Sequence, residues 1–359
     1  MIAPIFRTAF SFLRQAHKRE RGQVLVLVVV LMSVLCGMSA IAIDLGSYSA
    51  DRRDLQNAAD AIALAAAQDL PSQDAATAAA NSWAVKNDVA VSEMALTFTP
   101  QGGGEANPKV QVTLTQPHNF TFARAIGITS TNVSASATAI RTSHGNVQGG
   151  GGGLMPWSIL ESIKNSAAPG NSVVLKYDSN NVTNGNFGAL RVDGNGANIY
   201  RDSIEYGTDN GLCAAGVTGC TDPSVVQTQT GNMVGSTRTG TNYRIDNNDP
   251  ACNTWAQTVN VVGGKHQLKP ECNPFVAGGN PASLRIIIVP VISSLCNGAC
   301  NVTVTEFALF FLEGYGAGGC TGNNCEIKGK FINSNTNLGA TSGTFDSDPS
   351  TSHFVRLIQ

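Results

Sequence analysis

Residues 24–43 read VLVLVVVLMSVLCGMSAIAI, twenty residues without a charge, and Asp44 follows them directly. At about 1.5 Å per residue, a helix of this length spans the roughly 30 Å hydrocarbon core of a bilayer. The stretch therefore predicts a single transmembrane helix at 23–43, with the residues before and after it in different compartments.

The flanking charges indicate the orientation of this helix. Five basic residues precede it, against the single acid Glu20: Arg7, Arg14, Lys18, Arg19 and Arg21. Because cytoplasmic flanks carry an excess of Lys and Arg, the basic leader 1–22 is predicted to be cytoplasmic and the large part after residue 43 extracytoplasmic.

A cleaved signal peptide is the alternative to an anchor. Ala40-Ile41-Ala42 has the small residues of a cleavage site. The apolar stretch is longer than the roughly 7–15 residues usual in signal peptides, which favours an uncleaved anchor.

The composition agrees with an envelope protein. Of the 359 residues 13% are charged and 38 are glycine, which is low and high, respectively, for a cytosolic protein. The net charge of -2 lacks the basic footprint of a nucleic-acid-binding protein, so no nucleic-acid partner is expected.

Cysteine usage indicates an oxidising compartment. Cys36 lies in the apolar stretch, and the other eight cysteines all fall after residue 200. An even number there predicts four disulfides. Our hypothesis, among many connectivities, pairs sequence neighbours: Cys213 with Cys220, Cys252 with Cys272, Cys296 with Cys300, and Cys320 with Cys325.

Metal sites are the alternative use of these and other polar residues. The two close pairs Cys296–Cys300 and Cys320–Cys325 offer four thiolates for zinc, but their spacing is looser than paired C-x2-C. For calcium, the loops beginning at Asp193 and Asp246 supply oxygens without completing the known loop motif, and Asx turns explain both. No metal or cofactor is expected.

Helical periodicity continues beyond the membrane stretch as far as Pro71. Apolar residues recur there at spacings of three, four or seven: Tyr48, Leu55, Ala59, Ile62 and Ala66. We interpret this stripe as core of the first extracytoplasmic domain; packing against a partner helix is the alternative.

After a second helix predicted at 73–86, with Ser72 as N-cap, the period changes to two. Alternation predicts strands at 94–99, 110–115 and 133–139, with a helical turn at 119–126 that Gly127 ends. The predicted fold class is α+β: a transmembrane helix extended into a stalk helix, a small antiparallel sheet, and then a β-rich, disulfide-stabilised extracytoplasmic domain.

Five consecutive glycines, Gly149–Gly153, predict a flexible linker at 143–153. This linker would separate a stalk and small sheet at 44–142 from the β-rich domain at 154–359. Within the latter, apolar runs and alternation predict strands at 173–177, 189–192, 284–292, 302–312 and 327–332.

The sequence lacks the common motifs of catalytic sites. The sequence has no G-x-S-x-G elbow, H-E-x-x-H pair or P-loop, and the histidines after the apolar stretch are isolated from one another: His118, His144, His266 and His353. We therefore expect a protein that is not an enzyme, with an extracytoplasmic hydrolase as the least favoured function.

Three sequence blocks in the first 70 residues occur together. They are Arg19-Glu20-Arg21-Gly22-Gln23-Val24, Ala42-Ile43-Asp44-Leu45-Gly46, and Leu55-Gln56-Asn57-Ala58-Ala59-Asp60-Ala61. The combination resembles the N-terminal segment of TadE/TadG-like proteins of the bacterial Flp (tight adherence) pilus machinery, and the resemblance extends over residues 19–141. It implies a single-pass inner-membrane protein with a pilin-like stem, whose partners are the membrane and Tad/Flp pilus-assembly proteins.

Two departures from the family bear on this implication. Processed pilin-like relatives carry Gly before the cut and Glu five residues after it; Gly22 and Gln23 match the cut, but Leu27 stands at the Glu position. Some relatives carry a von Willebrand A-type domain with a metal-binding D-x-S-x-S motif, which the segments beginning at Asp178 and Asp346 do not match. The resemblance thus implies an anchor without such a metal site.

The leading hypothesis is a non-enzymatic, membrane-anchored component of Flp/Tad pilus assembly that acts through its stem and an outward-facing domain. The small residues Gly37, Ser39 and Ala40 would permit close packing of helices in the bilayer, including a helix-mediated oligomer. The alternative is a membrane-anchored adhesin or ligand-binding envelope protein, whose Asn-, Thr- and Gly-rich loops would hydrogen-bond a ligand.

Overall fold

The computed structural model describes residues 23–99, 109–179, 186–217, 220–262, 265–276, 278–332 and 354–358. The basic leader lies outside these residues. The described chain contains six α-helices: α1 Gln23–Ala67, α2 Gln73–Lys86, α3 Glu161–Ser166, α4 Ala197–Tyr206, α5 Val234–Asp246 and α6 Trp255–Thr258.

The strands bear out the predicted α+β class. In chain order they are β1 Met94–Thr99, β2 Lys109–Asn119, β3 Ser130–Thr142, β4 Asn146–Val147, β5 Ile159–Leu160, β6 Ser172–Lys176, β7 Asn186–Leu190, β8 Leu212–Cys213, β9 Val225–Thr230, β10 Val259–Val262, β11 Lys265–Leu268, β12 Ile286–Ile292, β13 Asn301–Thr321, β14 Asn324–Ile332 and β15 Phe354–Ile358.

The chain forms two compact units. Unit 1 takes in the described residues up to Asp60 together with Ala84–Ala95 and Val112–Ser136, and unit 2 comprises Ala61–Trp83, Leu96–Gln111 and the chain from Ala137 onward. The linker predicted at 143–153 does not coincide with these divisions, and the domain boundaries from the sequence stay a prediction.

Helix α1 is one continuous element of 45 residues, about 68 Å long. Its large apolar side chains from Val24 to Ile43 are 47% to 69% exposed. Beyond Asp44 the predicted stripe is buried inside the chain, with Leu55 4% and Ala59 0% exposed. The structure thus uses the stripe as core.

The small sheet has the strand order β1-β2-β3-β15. Strands β1 to β3 follow the predicted alternation. Strand β15 was not predicted; it pairs antiparallel with the end of β3, from Phe354 opposite Thr142 to Ile358 opposite Thr138. The end of the described chain therefore completes the sheet that begins just after α2.

Unit 2 is built on a seven-stranded sheet with the path β5-β12-β13-β14-β6, in which β9 also pairs with β13, and β7 pairs with β9. Every residue of β12 is buried. Ile286 and Ile288 join one core cluster, whereas Ile287 and Val289 join the other. Because β12 is covered on both faces, it appears in the sequence as a continuous apolar run.

The glycine run 149–153 is hydrogen-bonded inside unit 2. The N–H of Gly150 donates to Thr208 O at 2.8 Å, and that of Ile288 donates to Gly153 O at 2.8 Å. The buried guanidinium of Arg244 donates to Gly152 O at 2.7 Å. These contacts place the run against the folded unit.

The eight cysteines of unit 2 lie in four pairs at disulfide distance, with the partners hypothesised from the sequence. The Cα–Cα distances are 6.2 Å for Cys213–Cys220, 5.6 Å for Cys252–Cys272, 6.4 Å for Cys296–Cys300 and 4.0 Å for Cys320–Cys325. Cys36 on α1 is free and exposed. Oxidation of these pairs to disulfides in the native protein is a proposal.

Candidate functional site

Helix α1 carries the feature with the clearest functional meaning. Among the described residues, α1 is the one helix that is both long enough and apolar enough to cross a membrane. Its most apolar part is not buried by the rest of the chain. Such a surface is unfavourable in water and favourable in a bilayer. Single-pass anchoring is consistent with this helix.

Asp44, the residue that ends the apolar stretch, forms an unusual contact. Its side chain is only 5% exposed. Its carboxylate accepts hydrogen bonds from the backbone N–H groups of Thr121 at 2.9 Å, Phe122 at 3.1 Å and Ala123 at 2.7 Å. A carboxylate from α1 thus caps the segment between β2 and β3.

The capped segment is residues 120–129, which we call the hook. Its centre is the 3-10 helix Ala123–Ile126, ended by Gly127 at φ 89°, a left-handed conformation that favours glycine. The sequence predicted a helical turn ended by Gly127, but not its partner on α1. Asp44 replaces the local side-chain cap that this turn lacks.

Burial raises the pKa of Asp44, but the three backbone N–H donors, Ala123 foremost, together lower it below its ordinary value. Hydrogen bonds to the charged form favour that form. The capping carboxylate is therefore ionised at neutral pH, which strengthens its hold on the hook.

An apolar groove of 860 Å³ lies between α1 and the hook, with Asp44 in its lining. The helix lines it with residues spaced three or four apart, on one face: Cys36, Gly37, Ala40, Ile41, Leu45 and Tyr48. The hook contributes Phe122, Ile126 and Ile128, among others. Gly37 and Ala40, predicted to pack against other helices, therefore line this groove, whereas Ser39 is exposed outside its lining.

A second polar contact joins β2 to α1 in unit 1. His118 Nδ1 lies 2.6 Å from Asp51 Oδ2, and the imidazole is 5% exposed. Its ring meets Tyr48 and Phe120 edge to face, at centroid distances of 5.6 and 5.0 Å. This histidine has the environment of a packed structural residue that joins strand and helix.

The other histidines that the structure describes are separate from one another in their contacts. Burial lowers the pKa of His144 to about 4, so the ring is neutral. His266 packs against Trp255 at a centroid distance of 5.8 Å. His353 lies outside the described residues. The contacts described for these rings include no hydroxyl–histidine–acid chain.

The residues considered as metal ligands have other partners in unit 2. Asp193 accepts hydrogen bonds from Ser203 Oγ at 2.6 Å and from the backbone N–H of Asn210 at 2.8 Å. Asp249 caps a 3-10 turn, accepting from the N–H of Ala251 at 2.8 Å. The Asp249 contact is of the Asx-turn type that the sequence analysis considered, whereas Asp193 binds residues 10 and 17 positions further along the chain.

The cysteines considered for zinc pair with each other within each motif. Asp222 lies near the Cys213–Cys220 pair in a cluster of metal-ligand size. The two sulfurs of this pair are at disulfide distance, and a disulfide between them would leave no thiolate to bind a metal.

The candidate processing site falls at the edge of the described chain. Gly22 lies outside the described residues, and Gln23 is the first residue of α1. Leu27, at the position of the expected Glu, is an exposed residue of the apolar helix. Processing stays a prediction.

Comparison with known proteins identifies one segment. Residues 22–69 match the family described as putative Flp pilus-assembly TadE/G-like, which confirms the resemblance over that part of the chain. No curated protein and no solved structure is significantly similar to the chain. The family match supports a role in pilus assembly, and the family is generally non-enzymatic.

Proposed function

We propose that this protein is a non-enzymatic, single-pass component of an Flp-type pilus-assembly apparatus in the bacterial inner membrane. The N-terminus would be cytoplasmic, and the chain beyond Ile43 would be extracytoplasmic. One observation carries the proposal: the matched segment 22–69 coincides with α1, which is exposed and apolar before Asp44 and contributes core residues after it. An anchor and a structural stem would thus be parts of one continuous helix.

The solvent face of the stem is the surface that we assign to assembly partners. Arg52, Arg53, Asp54 and Asn57 are all exposed, on the part of α1 that also carries buried Leu55. They lie within the family-matched segment. Charged side chains on a rigid helix are suited to orient a partner and to reject wrong ones.

A charge reversal tests this role in the native host. Cells that produce the Arg52→Glu/Arg53→Glu variant should contain it in the membrane at wild-type level. Fewer Tad proteins should co-purify with the variant, and these cells should make fewer surface pili. Asp209→Lys, an exposed reversal in unit 2, is the matched control and should leave both unchanged.

Removal of the whole protein gives the decisive outcome. Absence of pili supports assembly. Normal pili on cells that have lost surface attachment would instead favour the adhesin alternative, and normal pili with normal attachment would contradict both functions. Truncation after residue 153 is a poor test because it also removes β15, which pairs with β3.

We also propose that the anchor is retained. Leu27 replaces the acidic residue associated with processing, and the apolar stretch exceeds signal-peptide length. Mass analysis of the mature protein should find the intact start. A start at Gln23 would indicate pilin-like processing, and a start just after Ala42 would indicate secretion.

A further inference from the structure

The hook carries more apolar surface than an extramembrane loop requires. Its sequence, FTFARAIGIT at 120–129, contains one charged residue, Arg124. Phe122 is 45% exposed, Ile126 78% and Ile128 50%. Contiguous exposed apolar side chains of this kind mark a surface that another apolar medium covers.

The position of the hook along α1 identifies that medium. Phe122, Ile126 and Ile128 line one groove with Cys36 and Ile41 of the helix. Cys36 precedes Ile43, the end of the apolar stretch, by seven residues, or about 10 Å of helix. If residues 24–43 occupy the hydrocarbon core, the groove extends about 10 Å into it from the extracytoplasmic side.

At least seven of the ten backbone N–H groups of the hook have partners within the chain, as such a location favours. Irregular backbone in hydrocarbon needs its polar groups satisfied internally. Three of these N–H groups donate hydrogen bonds to the Asp44 carboxylate. Four more donate to carbonyls of the hook itself at 3.0–3.1 Å: those of Phe120, Ala125, Gly127 and Ile128. The capping carboxylate and the donors thereby satisfy each other at the membrane boundary.

We infer that the hook is embedded in the extracytoplasmic leaflet and that phospholipid acyl chains occupy its groove. The inference rests on the proposed membrane anchoring. The groove has a volume of 860 Å³, and most of the surface that lines it is apolar, as an acyl chain requires. Arg124 is exposed, and its long side chain can extend to the lipid phosphates while its stem stays in the apolar layer.

Position-specific quenching tests the inference in the full chain. In a Cys36→Ser background, Ile126→Cys is labelled with bimane and the protein is reconstituted in phosphatidylcholine vesicles, with or without bromine on the acyl chains. Leu31→Cys, in mid-span, is the lipid reference. Asp54→Cys, exposed on α1 about 16 Å beyond Ile43, is the aqueous reference.

Bromine on the acyl chains should quench the label at 126 several-fold more than the label at 54, and aqueous iodide should quench it several-fold less. Ile128→Cys should behave in the same way, which guards against a local effect of one substitution. Because Ile126 is 78% exposed, its replacement should leave the fold unchanged.

The references separate two kinds of failure. If the label at 31 is in lipid while the labels at 126 and 128 respond like that at 54, the anchor stands and the hook inference is overturned. If iodide reaches the label at 31, membrane anchoring itself fails, and the inference fails with it. Shielding of 126 from both quenchers, or disulfide crosslinking of two chains through it, would show a protein occupant and overturn the lipid assignment.

Discussion

Loss of the Cys252–Cys272 crosslink should have the largest effect on unit 2 among the four cysteine pairs. This pair closes the longest loop, with a sequence separation of 20, and both residues are at most 1% exposed. Closing such a loop restricts the unfolded chain by about 3 kcal/mol in the entropic model. The loss of this restriction alone should therefore lower the free energy of unfolding of Cys252→Ala/Cys272→Ala by about 3 kcal/mol.

The Cys296–Cys300 pair provides a matched control. Its separation of 4 residues corresponds to about 2 kcal/mol in the same model, and both cysteines are partly exposed. Deletion of the buried Cys252–Cys272 sulfurs also leaves a small void, which adds about 1 kcal/mol to the difference. The two double variants should thus differ by about 2 kcal/mol.

Urea unfolding of the detergent-solubilised protein measures this difference. The fluorescence of Trp157, which is 0% exposed, reports on the core of unit 2. With a slope of about 3 kcal/mol/M, the midpoint should fall by about 1 M or slightly more for the Cys252–Cys272 variant, and by less for the control.

Two results would refute this reasoning. One is an unchanged midpoint for Cys252→Ala/Cys272→Ala. The other is intact-mass evidence that the eight cysteines besides Cys36 are free thiols in the purified protein, or peptide mapping that links Cys252 to a cysteine other than Cys272. In either case the local pairing would not be the native connectivity.

Three further predictions concern the buried contacts. Asp44→Ala should accelerate hydrogen exchange of the amides of 121–123; since the pKa of Asp44 is lowered in the folded protein, wild-type protection should hold above the ordinary pKa of 3.8 and be lost as the pH falls through the lowered value. Ala59→Leu, at a site 0% exposed, should destabilise the protein by about 1–3 kcal/mol in urea unfolding, through overpacking. Lys164→Met should cost about 3–5 kcal/mol because it removes the amine that lies 2.5 Å from the buried Glu306 carboxylate. The double variant Lys164→Met/Glu306→Leu should recover most of that loss in urea unfolding, and equal stabilities of the single and double variants would contradict this account.

Elements with a strong period were predictable from the sequence. The stripe through Leu55 and Ala59 and the run 286–289 follow from burial on one side, or on both sides, of a regular element. The apolar stretch follows from its length and its lack of charge. Ser72 was recognisable as an N-cap, and its Oγ accepts from the N–H of Ala75 at 3.3 Å. In these cases local sequence and tertiary burial carry the same information.

Helices α4 and α5 were missed for a physical reason. Helix α5 contains Gly235, Gly240 and several threonines, residues of low helix propensity. At Gly240 a Cβ would lie 2.7 Å from the Cβ of Ile204 on α4, so the glycine permits close approach of the two helices. The packing that stabilises α5 thus depends on a residue that argues locally against a helix.

The contacts that make up the groove were equally invisible in one dimension. Asp44 and the hook are separated by more than 75 residues, yet one carboxylate receives three backbone donors. The side chain of Asp44 looked like an ordinary charge at the end of a span. Only folding of β2 and β3 beside α1 makes it a cap.

The sequence by itself determined that an apolar helix at 24–43 continues into a stem, that the strands which follow it alternate, and that eight cysteines lie beyond the apolar stretch. These properties depend on neighbouring residues, whose period is set by local backbone geometry. The tertiary structure decided that the stripe of the stem packs inside the chain, where β15 pairs, and that the hook lies beside residues 36–48 of α1. Those outcomes depend on contacts between residues far apart in the chain, which no local period encodes.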